Sequence, residues 1–281
     1  MESRQVSRAA RLRAALREHT VVMPGAFNAL TARAIERAGF EAIYLSGAAL
    51  ANSVLGVPDI GLTTLTEAVA HATRCAAVTK LPIVADADTG FGGPANAART
   101  VEEFERAGLA GLHLEDQEFP KRCGHLPGKR LVPVEEFCEK LSAAVAARRN
   151  PDFLIIARTD ARGVTSYDDA VQRAHRYIQA GADVIFPEAL ESREELARFA
   201  RDVPVPLLAN LTEFGRTPPC SVAELSDLGY RLIIFPVTLQ RIAMKAVNDA
   251  LRELKASGQT AGLLDRMQTR QELYDLLDYR P

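Results

Sequence analysis

Apolar residues recur along this chain in two alternating rhythms. Short unbroken apolar runs lie at 21–23, 42–45, 83–85, 111–114, 154–157, 184–186, 207–209 and 232–235. Each is rich in β-branched residues or leucine, the pattern of parallel strands buried on both faces. Between them the apolar positions take helical spacing, at 30–38, 65–78, 95–107, 134–147, 167–180, 193–200 and 222–228. Four of these stretches run into Gly39, Gly108, Gly181 or Gly229, which suits a left-handed helix cap before the next strand. Roughly eight strand–helix units predict a (β/α)8 TIM-type barrel. The rival is a doubly wound open sheet, which carries a glycine-rich loop after its first strand. Here that strand runs into Met23-Pro24-Gly25-Ala26-Phe27, with no such loop, so the barrel is favoured.

A further helical pattern covers 239–255, Gly258-Gln259-Thr260 breaks it, and 263–277 reads as one or two more helices. The expected organisation is one barrel domain over 1–281, with an N-terminal helix at 1–19 and a helical tail at 258–281. The tail's apolar residues need cover, and a neighbouring subunit is a common place to find it.

A hydrophobic fraction of 47% in 281 residues is enough for a large core. Lys and Arg number 34 against 36 Asp and Glu, a net charge of −2, so no broad basic field recruits nucleic acid or anionic lipid. No apolar run approaches the ~18 residues of a membrane span. The arginine-rich start lacks the apolar stretch of a signal peptide, and Glu2 and Glu18 speak against a transit segment. An opening helix and a cytoplasmic location are expected. Cys75, Cys123, Cys138 and Cys220 form neither a CxxC pair nor a zinc pattern, so reduced thiols are expected. Cys75 and Cys138 fall on helical patterns and read as small packed hydrophobes.

In such a barrel, chemistry gathers where strands end. The polar outliers fall there: Ser46-Gly47, Asp86-Ala87-Asp88, Glu115-Asp116, Arg158-Thr159-Asp160, Glu188, Asn210-Leu211-Thr212 and, beyond the last strand, Arg241. Asp86 and Asp88, two apart on a regular strand, share a face. Two carboxylates so close call for a cation, and Mg²⁺ takes few carboxylates plus waters and substrate oxygens. The alternative is a helix N-cap cluster. Glu115 and Glu188 suit metal-bound waters or substrate hydroxyls, or else a buried ion pair with Arg158; both can hold together. Arg158 and Arg241 offer the planar fork that grips carboxylates. Ser46 with Gly47 offers hydroxyl and amide donors, and Asn210 with Thr212 neutral donors. His71 and His175 read as surface residues, and His113, inside an apolar strand, as a structural hydrogen-bonder.

The densest chemistry is Lys121-Arg122-Cys123-Gly124-His125. Cations beside a thiol lower its pKa from about 8.5 and poise it as thiolate or acid. Hard oxygens, cations and a thiol together suggest a metal-assisted reaction on a small polycarboxylate.

These residues also carry a resemblance. Tyr44-Leu45-Ser46-Gly47, Asp86-Ala87-Asp88-Thr89-Gly90-Phe91-Gly92, the cysteine loop, Ala157-Arg158-Thr159-Asp160-Ala161, Asn210-Leu211-Thr212-Glu213-Phe214-Gly215 and Met267-Gln268-Thr269-Arg270 resemble signature blocks of the isocitrate lyase/phosphoenolpyruvate mutase superfamily. The cysteine loop marks the lyase branch, since the mutases lack it, and Arg122 with the short chain makes the similarity greatest to its 2-methylisocitrate-cleaving members. The resemblance implies retro-aldol cleavage of a tricarboxylate to pyruvate and succinate with Mg²⁺ or Mn²⁺. It implies Asp86 and Asp88 as metal ligands, with Glu115 acting through water. It places Ser46, Gly47 and Ala48 on the pyruvate-side carboxylate. Gly124, Arg158, Glu188, Asn210, Leu211, Thr212, Arg241 and Arg270 become substrate contacts. Cys123 becomes the general acid with Lys121 and His125 beside it, Tyr44 a candidate base, and Asp59 a support. The resemblance further implies a lid over the site and a homotetramer with exchanged C-terminal helices. Isocitrate, dimethylmalate and oxaloacetate remain rival substrates, and a non-catalytic dicarboxylate-binding barrel remains the rival of another class.

Overall fold

The computed structural model describes residues 6–280. Its elements alternate with few interruptions: α1 (Arg8–Glu18), β1 (Val21–Pro24), α2 (Ala29–Arg37), β2 (Ile43–Leu45), α3 (Gly47–Leu50), α4 (Leu65–Ala77), β3 (Ile83–Asp86), α5 (Pro94–Arg106), β4 (Gly111–Glu115), α6 (Val134–Ala147), β5 (Leu154–Thr159), α7 (Tyr167–Gln179), β6 (Val184–Pro187), α8 (Arg193–Asp202), β7 (Leu207–Asn210), α9 (Val222–Asp227), β8 (Tyr230–Phe235), α10 (Thr238–Ser257) and α11 (Arg270–Leu277). The expected strands are all present, most of them longer by a residue or two at the carboxyl end. Unforeseen are α3 and the π-helical turn Ala51–Leu55 after it, which the sequence reading left as connecting chain. Residues 1–5 and 281 of the expected terminal segments lie outside the described residues.

All eight strands pair parallel, in the order β1-β8-β7-β6-β5-β4-β3-β2. The circle closes through a bridge from Gly25 to Tyr44 and the bond from Ala26 N to Tyr44 O, 2.9 Å. This is a nearly closed TIM-type barrel. The barrel strands are near-continuous in apolar residues because each faces two cores. Inside the barrel pack Met23, Tyr44, Val84, Ile156, Phe186, Leu208, Leu232 and Ile234. Outside, strand residues such as Ile43, Ile83, Leu112 and Ile155 pack against Ile35, Phe104, Phe137 and Phe199 of the helices. The cap glycines behave as expected: Gly39, Gly108, Gly181 and Gly229 all have positive φ.

The amino end of the barrel is stoppered. Ala9, Leu12 and Leu16 of α1 join the interior cluster, and Arg13 ties the helix to Asp183 at 2.9 Å, which Arg148 also holds at 2.6 Å. With that end plugged, the carboxyl end is the one left for a site. α11 packs on α2 of its own chain, with Arg33 and Arg37 bonded to Asp278. Among the described residues no helix is long and apolar enough to cross a membrane.

Phe137 links the outer core to the barrel mouth. Its ring meets Tyr177 edge-on at 4.7 Å, and the Tyr177 hydroxyl donates to Asp116 Oδ2 at 2.8 Å. Fully buried, it is a sensitive place to open a cavity. Phe137→Ala is expected to cost about 3–5 kcal/mol, read as a lower urea midpoint. A midpoint unchanged from the parent chain would contradict this packing.

Candidate active site

The carboxyl ends of the strands surround a cavity of about 350 Å³. Of the expected residues, Tyr44, Ser46, Ala48, Asp59, Asp86, Lys121, Cys123, Gly124, His125, Arg158, Glu188, Asn210, Thr212 and Arg241 line it. The thiol loop and Asp86 therefore lie on the same end of the barrel, around one space. Asp88 and Glu115 are buried and do not line it.

Arg158 organises the mouth. It lies one residue before the end of β5, 8% exposed, inside a ring of acids. Nε and Nη2 reach Asp160 Oδ2 and Oδ1 at 3.0 and 3.1 Å, Nη1 reaches Glu115 Oε2 at 3.1 Å, and Nη2 lies 3.5 Å from Glu188 Oε2. Burial alone would lower its pKa, but Asp160, Glu115 and Glu188 outweigh that and hold it well above the ordinary value. The planar fork expected to face a substrate carboxylate is thus spent on Asp160 here. Asp160 is itself fixed, its amide donating to Asp116 Oδ1 at 2.9 Å. Glu188 is held below the usual carboxylate range: burial would raise it, but Arg158 and His125 prevail. Glu115 goes the other way. Burial drives it well up against the pull of Arg158 and Lys121, and neither of its oxygens has a hydrogen-bond partner among the described residues.

The aspartate pair departs from a regular strand. β3 stops at Asp86, and Asp88 adopts φ +46, so simple alternation does not bring them together. The turn does: Asp88 N donates to Asp86 Oδ1 at 3.0 Å. Both carboxylates face Gly47, where a Cβ would meet Asp86 Oδ2 at 3.0 Å and Asp88 Oδ1 at 3.4 Å. Neither caps a helix; α5 is capped at Gly93. Two acids so close split their titration. His113, Lys121 and Arg158 overcome burial and keep Asp86 low, whereas burial and the Asp86 charge push Asp88 to about 6.

The Gly47 N–H, expected to meet a substrate carboxylate, donates to Asp86 Oδ2 at 3.1 Å instead. Ser46 caps α3, its hydroxyl accepting from Ala49 N at 3.4 Å.

The cysteine loop also differs from its reading. Lys121 and His125 do not direct their charge at the thiol. Lys121, 3% exposed, pairs with Asp59 and with Asp88 at 2.8 Å, and its pKa rises well above normal because these acids, with Glu115 and Asp86, outweigh burial. His125 Nδ1 accepts from Arg216 N at 3.0 Å, which leaves the proton on Nε2, facing Glu188 Oε1 at 2.9 Å. Acids of the rim absorb Lys121 and His125, whereas Arg122, next to the sulfur, is exposed and has no acid partner among the described residues. At Gly124 the approach is closest: a Cβ there would meet Arg158 Nη2 at 2.3 Å and Glu188 Cγ at 2.5 Å, so the loop lies directly on the acid ring.

Two expected contacts stand elsewhere, and a third is diverted. Leu211 is absent from the lining, and its N–H donates to Ile234 O at 2.9 Å as strand pairing carries on past β7. Arg270 opens α11, beside α2 and away from the cavity. Arg241 lines the cavity but gives Nη1 to the Glu213 carbonyl at 2.6 Å. Tyr44 fits poorly as a base. Burial and Asp86 drive its phenol well above the ordinary value, and it lies 2.7 Å from His113 Nε2. His113 makes the structural bond expected of it. His71 is buried in α4, 3.9 Å from Cys75 Sγ, rather than on the surface, because the helix turns that face to the barrel. The sequence reading missed Phe186, Ile234, Pro236, Val237 and Met244 as apolar lining, since apolar residues at strand ends look like any core. It also missed Lys129, a buried cation whose only sequence signal is its place at the close of the cysteine loop.

The depressed Glu188 predicts an acid limb. A carboxylate whose folded pKa lies below its unfolded value adds stability that is complete above the unfolded pKa, about 4.5, and is lost as pH falls below it. Glu188→Gln is therefore expected to flatten the fall in thermal midpoint between about pH 5 and pH 2. An equally steep fall in the variant would show that Glu188 carries none of this dependence.

With the geometry in place, comparison with known proteins is direct. The phosphoenolpyruvate phosphomutase family matches residues 12–255. A Corynebacterium glutamicum protein described as "Probable 2-methylisocitrate lyase 1" is 54% identical over 93% of this chain and 86% of its own length. The 2-methylisocitrate lyase of Aeropyrum pernix is 52% identical, over 92% of this chain and 83% of its own. The crystal structure of 2,3-dimethylmalate lyase, a superfamily member, superposes with a TM-score of 0.92 at 41% identity, covering 98% of this chain and 93% of that one. Sequence match, barrel and rim geometry agree, and the chain belongs to the phosphoenolpyruvate mutase/isocitrate lyase superfamily.

Proposed function

We propose that this chain is a carbon–carbon lyase that cleaves 2-methylisocitrate to pyruvate and succinate. The observation that carries the reading is one cavity lined by Asp86, Arg158 and Cys123 together. Relatives described as 2-methylisocitrate lyases at 54% and 52% identity support the choice of substrate.

The donor set suits a hard divalent ion. Asp86 and Asp88 converge on Gly47, and in the acid cluster Glu115 keeps two buried oxygens that make no hydrogen bond, one of them ion-paired to Arg158 at 3.1 Å. Among the described residues no three side chains of ligand type gather closely enough to enclose a metal. Mg²⁺ needs no third protein ligand, since it binds through one or two carboxylates and retains waters. Asp86 and Asp88 would hold it, with Glu115 reaching it through water. When bound, the ion supplies Lewis-acid stabilisation of the charge that develops as the carbon–carbon bond breaks.

The protein's own groups do the rest. Cleavage removes the substrate's hydroxyl proton, turns that carbon into the keto carbon of pyruvate, and leaves an electron pair on the succinate carbon. That carbon needs a proton, and the Cys123 thiol faces the cavity to give it. Ser46, Ala48, Asn210 and Thr212 offer neutral contacts around the substrate, and Arg241 a second cation at the rim. Closing the loop of Cys123 over the cavity keeps water from the carbanion. The exposed apolar residues of α10, among them Ile242 at 64% and Leu251 at 58%, support a homotetramer built by exchange of C-terminal helices. Such an exchange would also bring Arg270 to a neighbour's site. The cytoplasm is the compartment proposed for the enzyme.

Pyruvate release from 2-methylisocitrate should require Mg²⁺ and cease with a chelator. Its kcat/KM should exceed those for isocitrate and 2,3-dimethylmalate. Because one methylene is worth only about 1–3 kcal/mol in a pocket, all three need assay side by side, and a higher value on either rival would overturn the substrate. Cys123→Ser should lower kcat by about 10²–10⁴-fold while calorimetry still detects substrate binding. Full turnover in that variant would remove Cys123 from the acid's role.

A further inference from the structure

Among the buried polar side chains that the reaction as described leaves unused, two stand beside the thiol. Lys129 is 7% exposed and Gln117 1% exposed, and neither lines the cavity. Both belong to the loop of Cys123. Its neck is pinched by the Gln117–Leu131 bridge and the bond from Glu118 N to Arg130 O at 2.8 Å, so the chain between has no regular strand or helix to fix it. What fixes it is side chains. Gln117 binds the backbone of Arg122 twice: its Nε2 donates to Arg122 O and its Oε1 accepts from Arg122 N, both at 2.9 Å. Lys129 Nζ donates to Gly124 O and pairs with Asp160 Oδ1 at 2.8 Å. Arg122 and Gly124 are the neighbours of Cys123, so the residues on either side of the thiol are each held by a buried side chain. The second hold continues through Asp160 into the Arg158 fork.

We propose that Gln117 and Lys129 are positioning residues that clamp the backbone before and after Cys123 and so hold its thiol at the cavity. The proposal rests on the reading that Cys123 acts in this cavity. The two clamps differ in kind. Gln117 is neutral and local. Lys129 also neutralises Asp160, and losing one partner of a buried pair leaves the other charge uncompensated.

The test is thiol alkylation by iodoacetamide in the intact chain, mapped cysteine by cysteine, together with kinetics. Cys138 and Cys220, which are also partly exposed, serve as internal references. Lys129→Met and Gln117→Leu should each speed alkylation at Cys123 by about tenfold through local opening, with the references unchanged. Each should lower kcat by up to about 10²-fold while KM moves less, as expected when a catalytic group is misplaced. The charge-balanced double variant Lys129→Met with Asp160→Asn separates the roles. If Lys129 clamps, its Cys123 stays fast; if Lys129 only balances Asp160, the parent rate returns and the clamp is refuted. Should Lys129→Met fail to fold, Gln117→Leu and the double variant still decide. Alkylation unchanged at Cys123, or raised equally at all partly exposed cysteines, would overturn the proposal. Failure of the lyase reading looks different: the parent chain would not turn over, whereas the alkylation contrast needs no substrate.

Discussion

A guanidinium taken out of water must be answered by charge, and at the mouth of this barrel Arg158 is answered three times. Asp160 takes its fork, Glu115 its remaining nitrogen, and Glu188 approaches from β6. The desolvation cost of such a group is several kcal/mol, so it persists only where the geometry of its partners is fixed. Here the partners come from adjacent strands in register. Glu115 pairs with Arg158 along β4–β5, and Arg158 with Phe186 along β5–β6. Asp116 accepts the Asp160 amide and is itself fixed by Thr159, Tyr177 and Arg173. The barrel thus supplies a pre-paired electrostatic floor, and an arriving carboxylate must compete with Asp160 for the fork.

The same accounting explains the cysteine loop. Read along the chain, two cations and a histidine stand beside one thiol. In space each buried cation has an acid of the barrel rim: Lys121 has Asp59 and Asp88, and Lys129 has Asp160. His125 lies against Glu188. The buried charges of the loop therefore act as its fastenings. They hold the segment down on the mouth of the barrel, and the thiol arrives at the cavity because its neighbours are anchored. The environment of a side chain need not be made by the residues next to it in sequence; here Lys121 and His125 make their ion pairs with acids of the barrel rim.

The far end of the chain obeys a different constraint. α10 buries only Gln240 among its 20 residues, yet carries an apolar row of Met244, Val247, Leu251 and Leu254. An amphipathic helix with its apolar face uncovered is unfavourable in water. α11 is fastened to its own α2 chiefly by exposed ion pairs at Asp278, which contribute little to stability. Both features support the proposed exchange of C-terminal helices with another copy of the chain.

The pattern of apolar runs was sufficient for the barrel. Strands buried on both faces are continuous in apolar residues, and glycine caps mark where each helix must stop. Motif spacing was sufficient to put Asp86, Cys123, Arg158 and Glu188 at one rim, because every strand of a parallel barrel delivers its carboxyl end to the same side. What the sequence could not hold was partnership. Gly47 N–H turns to Asp86, the fork of Arg158 turns to Asp160, and Leu211 continues a strand where a substrate contact was expected. Asp86 and Asp88 meet through a left-handed turn rather than strand alternation. Lys129 finds a carboxylate 31 positions along the chain. Hydrophobic periodicity is a local property and can be read in one dimension. Which buried charge meets which depends on distances closed only when the barrel closes, and desolvation makes those distances decide the site.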